Sequence, residues 1–284
     1  MFHLPFLASA LEKHEDEIDY RLLIGLYPLP IIIKLFNFLP FQLPSKIIDR
    51  GQDIPSSRII INPISEFLIQ LQSYVRRFKV LDSFSIFIND LVNLQFARKA
   101  SFVLNKFKPS IYHYRCAYGL KSLDVADRIN AIKLCDHSIA HPDHIAYLIE
   151  SQGSFPQSLS KVDKKKSVRL YFEMKTDLQK ADHIVVNSEF VKESLTKAGI
   201  SSSSISVIEL SVDQKITNYS LKNYHDCSKN HSSDLLYAGG WVERKGVIIL
   251  NQAIELLKGK ATLKIAGASM LKVKVILFIP KRPC

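Results

Sequence analysis

Residues 233–257 read "SDLLYAGGWVERKGVIILNQAIELL". A β-prone run, Leu235–Ala238, ends in Gly239 and Gly240 and is followed by Arg244, Lys245, Gly246 and an apolar helical pattern. Two glycines at a strand end remove side chains and let backbone approach a ligand closely. A helix N-terminus offers free N–H groups and the positive end of the helix dipole to the same space. Arg244 and Lys245 add full charges, Arg as a fork and Lys as a mobile point charge. A diphosphate suits such a seat. The run is neither G-x-G-x-x-G nor a P-loop, so taken alone a solvated turn with two exposed bases explains it equally well.

Upstream, the chain alternates strand and helix. The expected strands are Ser110–Arg115, Ala131–Asp136, His183–Ser188 and Ile205–Leu210, and after the boundary Leu235–Ala238 and Ala261–Gly267. Between the third and fourth lies "EFVKESLTKAG", with Ser188 placed to cap a helix, Glu189 at its positive end and Gly199 at its C′ position. Repeated β-α-β predicts parallel sheets covered by helices, with ligands at the carboxyl ends of the strands. The first twenty residues predict one amphipathic helix with Phe6, Leu7, Ala10 and Leu11 on its apolar face, and helical spacing returns from Ser65 to Phe107. The polar, aliphatic-poor segment around "NYSLKNYHDCSKNHSSD" reads as a linker, giving a first domain over 1–217, a linker over 218–233 and a second domain over 234–284.

The 284 residues are 47% hydrophobic and 23% charged, ordinary for a globular protein, but the formal net charge of +11 is not ordinary. It points to nucleic acid, an anionic membrane surface or a phosphorylated substrate. "KVDKKKSVR", Lys161 to Arg169, reads as a solvated loop or as a contact for phosphate or lipid headgroups. The apolar stretch Leu22–Pro44 is interrupted by Pro28, Pro30, Lys34 and Pro40, which argues against a spanning helix. It reads as buried strand and loop, or as an apolar surface against a membrane. Cys116, Cys135, Cys227 and Cys284 lack C-x-x-C spacing, so neither zinc nor a disulfide framework is expected, and a reducing cytoplasm fits. No secretory signal pattern opens the chain.

Three motifs in order, "ADHIVVNSEF", "SVIELSVD" and "LLYAGGWVERKGVIILNQAIELL", resemble the family 4 glycosyltransferases (group 1), retaining GT-B enzymes that use nucleotide-sugar donors. The resemblance covers about Glu173 to Gly267 and implies an α/β GT-B-like fold: a Rossmann-like N-terminal acceptor domain and a Rossmann-like C-terminal donor domain. It implies transfer of a sugar from a nucleotide-diphosphate donor, with no further cofactor and no metal, to a glycan or lipid-linked acceptor. The expected setting is the cytoplasm, peripheral on the inner face of a membrane. Lys245 matches the family lysine that meets the donor diphosphate, where a cation stabilises charge developing on the leaving phosphate. The family arginine after the strand glycine is Gly240 here, which leaves that contact absent or taken over by Arg244. The family's Pro and Gly before Val212–Asp213 are Glu209 and Ser211. Its E-x7-E donor grip is missing, so the resemblance implies an incomplete donor domain and an activity in doubt for this shortened chain.

"LCDHSIAHPDH" gathers Asp136, His137, His141 and His144 after a strand. The spacing does not place them on one rigid face, which disfavours a metal. The resemblance offers His141 or His137 as the catalytic-site histidine beside the donor sugar, and helix capping with loop packing is the plain alternative. Glu173 and Ser188 read as local pairing and capping residues. The aromatic-basic run "YHYRCAY" favours a half-buried strand over a nucleic-acid stripe. Triad hydrolysis lacks its G-x-S-x-G. A non-catalytic binding or remnant domain is the second functional expectation, and a basic nucleic-acid-binding protein the third.

Overall fold

The computed structural model describes residues 3–14, 16–28, 54–75, 78–151, 161–209, 233–241, 245–257 and 261–267. The chain divides into two compact units, Met1–Glu209 and Leu210–Cys284. Apart from Ser233, the expected linker lies outside the described residues.

The first unit opens with helix α1 (His3–Leu11), strand β1 (Leu22–Ile24) and strand β2 (Ile59–Ile61). β1 and β2 pair in parallel, Leu23 opposite Ile60. The amphipathic helix expected over the first twenty residues is corrected: α1 stops at Leu11, Leu7 and Ala10 are exposed, and Ala8 is the residue that packs with Leu22, Tyr27 and Ile54. The charged run Glu12–Glu17 has no apolar face to bury, so the helix ends there and the chain enters β1. Of the apolar stretch Leu22–Pro44, the start forms β1 and a buried turn, and 29–44 lie outside the described residues.

Helices α2 (Pro63–Val75) and α3 (Asp82–Phe107) follow as an antiparallel hairpin. Val75 packs on Ile88 and Val92 at the closed end. The opposite side of α3 carries Ala97, Ala100 and Leu104, all buried, and Leu104 packs on Val125 and Ala126.

The main sheet consists of β3 (Ile111–Arg115), β4 (Ile132–His137), β5 (His183–Val186) and β6 (Ile205–Val207), in that order and all parallel. Tyr114 lies opposite Cys135, Cys135 opposite Ile184, and Ile184 opposite Ile205. The crossovers are α4 (Lys121–Arg128), the pair α5 (Pro142–Ser151) and α6 (Lys161–Lys180), and α7 (Glu189–Lys197). Period-2 burial in β5 sends Ile184 and Val186 into the core, where they meet Cys135, Leu123, Leu178 and Leu195. Each such side chain contributes about 1.5–3 kcal/mol by leaving water.

The α7 reading stands. The Val191 N–H donates to Ser188 Oγ at 3.4 Å, Glu189 opens the first turn, and Gly199 takes φ +92°. The loop reading of Lys161–Arg169 is corrected, because these residues form the first turns of α6. Among the described residues no helix is long and apolar enough to cross a membrane.

The second unit contains β7 (Ser233–Ala238), α8 (Val247–Leu256) and β8 (Ala261–Ala266). β7 and β8 pair in parallel, from Ser233 opposite Ala261 to Ala238 opposite Ala266, and α8 forms the crossover. Both units are therefore α/β with parallel strands, as the alternation predicts.

Candidate functional site

In a parallel sheet every strand ends on the same edge, which is where side chains can converge on a ligand. In the first unit that edge carries the residues following β3, β4 and β5. Arg115, last in β3, lies opposite Asp136 in the register and reaches its Oδ1 at 3.0 Å, while its Nη2 donates to Ser138 Oγ. The guanidinium is thus committed to the start of the β4–α5 loop.

His137 ends β4 with its side chain closed off, at 1% exposure. Burial first, then the Arg115 charge, pushes its pKa down to about 4, so the ring is neutral at physiological pH. It makes a hydrogen bond to the Ala140 backbone, and its Nε2 has no partner. A buried ring nitrogen left unpaired costs about 1–3 kcal/mol, which a hydrogen-bonding ligand would recover. Next to it on the edge, Asn187 follows β5, and its Oδ1 is likewise buried without a partner. The sequence reading passed over Asn187; the only available signal is an amide placed directly after the apolar run "HIVV".

His141 sits at the start of α5. The Asp143 N–H donates to its Nδ1 at 3.2 Å, and its own N–H donates to Ser194 Oγ at 2.9 Å. Burial lowers its pKa. With Nδ1 accepting, the neutral ring carries its proton on Nε2. His141 therefore caps α5, which matches the capping alternative. His144 instead packs edge-on against Phe190, ring centres 5.7 Å apart. Lys175 and Asp143 pair at 2.9 Å between α6 and α5.

The loop after β3 has its own anchor. Asp177 of α6 is buried and its Oδ2 accepts from the Gly119 N–H at 2.9 Å, while Ala117 and Leu120 in the same loop take positive φ. Burial outweighs the backbone donors from Gly119, Leu120 and Ala117 and raises the carboxyl pKa to about 6. Gly119 is required here, since a Cβ would press on Leu123 and the Tyr114 ring at 2.8–2.9 Å. Glu173, one turn before Asp177, is held by Arg169 at 3.0 Å, the local pairing expected of it.

In the second unit, β7 ends at Ala238 and Gly239 continues the ladder by donating to the Ala266 carbonyl at 2.8 Å. Gly239 takes φ +136° and Gly267, at the end of β8, φ +150°. A Cβ on Gly267 would overlap the Gly239 carbonyl, so only glycine permits the two strand ends to approach. Tyr237 pins the turn: its hydroxyl donates to the Gly240 carbonyl at 2.7 Å and its ring packs edge-on against buried Trp241 at 5.1 Å. No Cβ contact lies within 4 Å of Gly240, leaving open space over the turn.

Lys245 is exposed, Gly246 takes φ +72° ahead of α8, and no side chain caps the helix. Among the described residues, the first N–H groups of α8 therefore have no side-chain acceptor. Gly239, Gly240 and Lys245 thus belong to one strand–turn–helix element, and Arg244 lies outside the described residues. His137 and His141 belong to the other unit.

No protein-family profile matches the chain, and no curated protein matches it. Among solved structures, the chain is similar to that of Phytolacca americana UGT2, determined in complex with UDP-2-fluoro-glucose and pterostilbene. The similarity has 10% sequence identity and a TM-score of 0.43, and covers 89% of this chain and 72% of that one.

Proposed function

We propose that the protein is a GT-B glycosyltransferase that takes a sugar from a nucleotide-diphosphate donor and transfers it with retention of anomeric configuration. One observation carries the reading: the side-chain-free strand ends at Gly239 and Gly267 stand ahead of an uncapped helix N-terminus whose preceding residue but one is a free lysine. An extended dianion fits such a seat, since backbone N–H groups and a mobile ammonium both favour it. Lys245 binds the diphosphate, with Arg244 assisting and the Gly239–Gly240 turn admitting it. In the transition state negative charge grows on the leaving phosphate, so Lys245 stabilises that state more than the bound donor.

On the first unit, His141 is the histidine we propose for a sugar hydroxyl, donating through Nε2–H, while His137, closed off from solvent, steadies the β4–α5 loop through the Ala140 backbone. Neither ring titrates upward into a cation near neutral pH, so both act by orientation rather than by charge.

Proton NMR of donor turnover tests the reading. Incubation with nucleotide-diphosphate sugars should release or transfer sugar first as the donor's own anomer. First appearance of the inverted anomer would overturn retention, and indifference to every such donor would overturn the assignment.

A further inference from the structure

The hairpin of α2 and α3 buries one side and leaves the other bare. On α2, Ile64, Phe67 and Tyr74 are spaced by three and seven residues, which places them along one side of the helix, and all are exposed. On α3, Phe84, Phe87, Arg98 and Phe102 share one side by the same period, and these too are exposed. The two sides join on one face, because Ile64, Arg98, Lys99 and Phe102 line a single groove of about 310 Å3 between the helices. At the hairpin tip, Phe78 and Leu81 are exposed and Val80 is 96% exposed. Among the described residues, α3 packs on α4 through Leu104 and its neighbours on the other side, not through this apolar face.

The described charges on this face are cationic. Arg98 and Lys99 lie on it, with the Lys99 ammonium 5.4 Å from the centre of the Phe102 ring. The described carboxylates of the hairpin are withdrawn: Glu66 is buried, and Asp90 is held by Arg169 at 2.5 Å. A second copy of the chain is a poor occupant, since a two-fold contact would set these cations against themselves on a chain of net charge +11. A single-stranded nucleic acid would stack on the phenylalanine rings but would leave Ile64, Val80 and Leu81, which offer neither a stacking plane nor base-edge chemistry, without a partner. An anionic bilayer takes both features at once, aromatic and aliphatic side chains into the headgroup boundary and cations onto the lipid phosphates.

We propose that this face of the α2–α3 hairpin docks the protein on anionic membrane surface, with Phe84, Phe87 and Val80 entering the interface and Arg98 and Lys99 meeting lipid phosphate. The inference does not depend on the donor site, and its test contains no nucleotide.

The test is co-flotation of the whole chain with vesicles of phosphatidylcholine alone or mixed with phosphatidylglycerol, at low and high salt. The protein should float with the anionic vesicles only, and less at high salt. Arg98→Gln should weaken the apparent affinity about fivefold, the effect of one cation near such a surface. Phe84→Gln/Phe87→Gln should weaken it about tenfold or more, by removing two buried-on-binding aromatics. All these side chains are exposed, so circular dichroism and melting should match wild type; Val80→Gln at the tip serves as a further aromatic-independent variant. Equal flotation with both vesicle types, wild-type flotation of the variants, or a tighter, Arg98-dependent association with duplex DNA or a second copy would each overturn the proposal.

Discussion

Asp177 holds the Gly119 amide at 2.9 Å, so a carboxylate buried in α6 fixes the loop that leads out of β3 toward the strand-end edge. Because burial raises its pKa to about 6, the folded protein retains the proton over a range where the unfolded chain, near 3.8, has lost it. Stability contributed by this group is therefore present below about pH 4 and declines as pH rises toward 6. Asp177→Asn removes that dependence. Relative to wild type, the variant should gain on the order of 2 kcal/mol between pH 4 and pH 6 in urea titrations. A constant difference across the range would contradict the burial argument.

His137 has the opposite sign. Its folded pKa of about 4 lies below the ordinary 6.5, so its contribution is present above pH 6.5 and is lost as pH falls toward 4. His137→Gln should therefore gain on wild type on acidification through that window, the mirror image of Asp177→Asn. Equilibrium melts of both variants over the same pH series separate the two groups. Parallel curves for His137→Gln and wild type would show the imidazole to be solvated after all.

The glycines at the strand ends of the second unit should differ in how badly they tolerate a methyl group. Gly267→Ala places Cβ on the Gly239 carbonyl and forces the strands apart, whereas Gly239→Ala meets only an unfavourable φ of +136° with open space around it. The expected order of destabilisation is Gly267→Ala above Gly239→Ala, the latter costing about 1–3 kcal/mol from backbone strain alone. Differential scanning calorimetry of the two variants checks it, and equal shifts would contradict the close approach.

Protection from exchange should also separate the two sheets. In the main sheet Cys135 and Ile184 are fully enclosed, while in the two-stranded sheet Leu236 is 70% exposed and α8 leaves Ile249 in water. Amides of Leu235–Ala238 should exchange much faster than those of Leu134–Asp136 by hydrogen-exchange mass spectrometry. Equal protection would mean that β7 and β8 are covered more fully than their side-chain exposure shows.

The parallel strands were legible because short aliphatic runs bounded by polar residues stand out, as in "HIVV" and "LLYA", and because Ser188 and Gly199 mark the ends of α7. β1 and β2 were not legible. Each is three residues long, and "LLI" and "III" are too short to show a period before their pairing partner is known. The charged start of α6 misled for a related reason, since a run of lysines carries no apolar stripe by which to recognise a helix. Lys245 stood out as a candidate because two glycines and a helix start frame it in sequence, and the structure places it just ahead of α8. The orphan atoms of His137 and Asn187 emerge only when β4 and β5 are set side by side, a contact across fifty residues that no local pattern carries.

The diphosphate seat is tested most directly by calorimetric titration of nucleoside diphosphates (uridine, guanosine and adenosine) into the wild-type chain and Lys245→Ala. Lys245 is exposed and supports no packing, so its loss should leave the melting temperature unchanged. Wild type should bind at least one diphosphate in a saturable, salt-sensitive way, and Lys245→Ala should weaken that binding by about 1–3 kcal/mol, or roughly 5- to 150-fold in Kd. Equal affinity of the two proteins for that diphosphate would contradict this assignment.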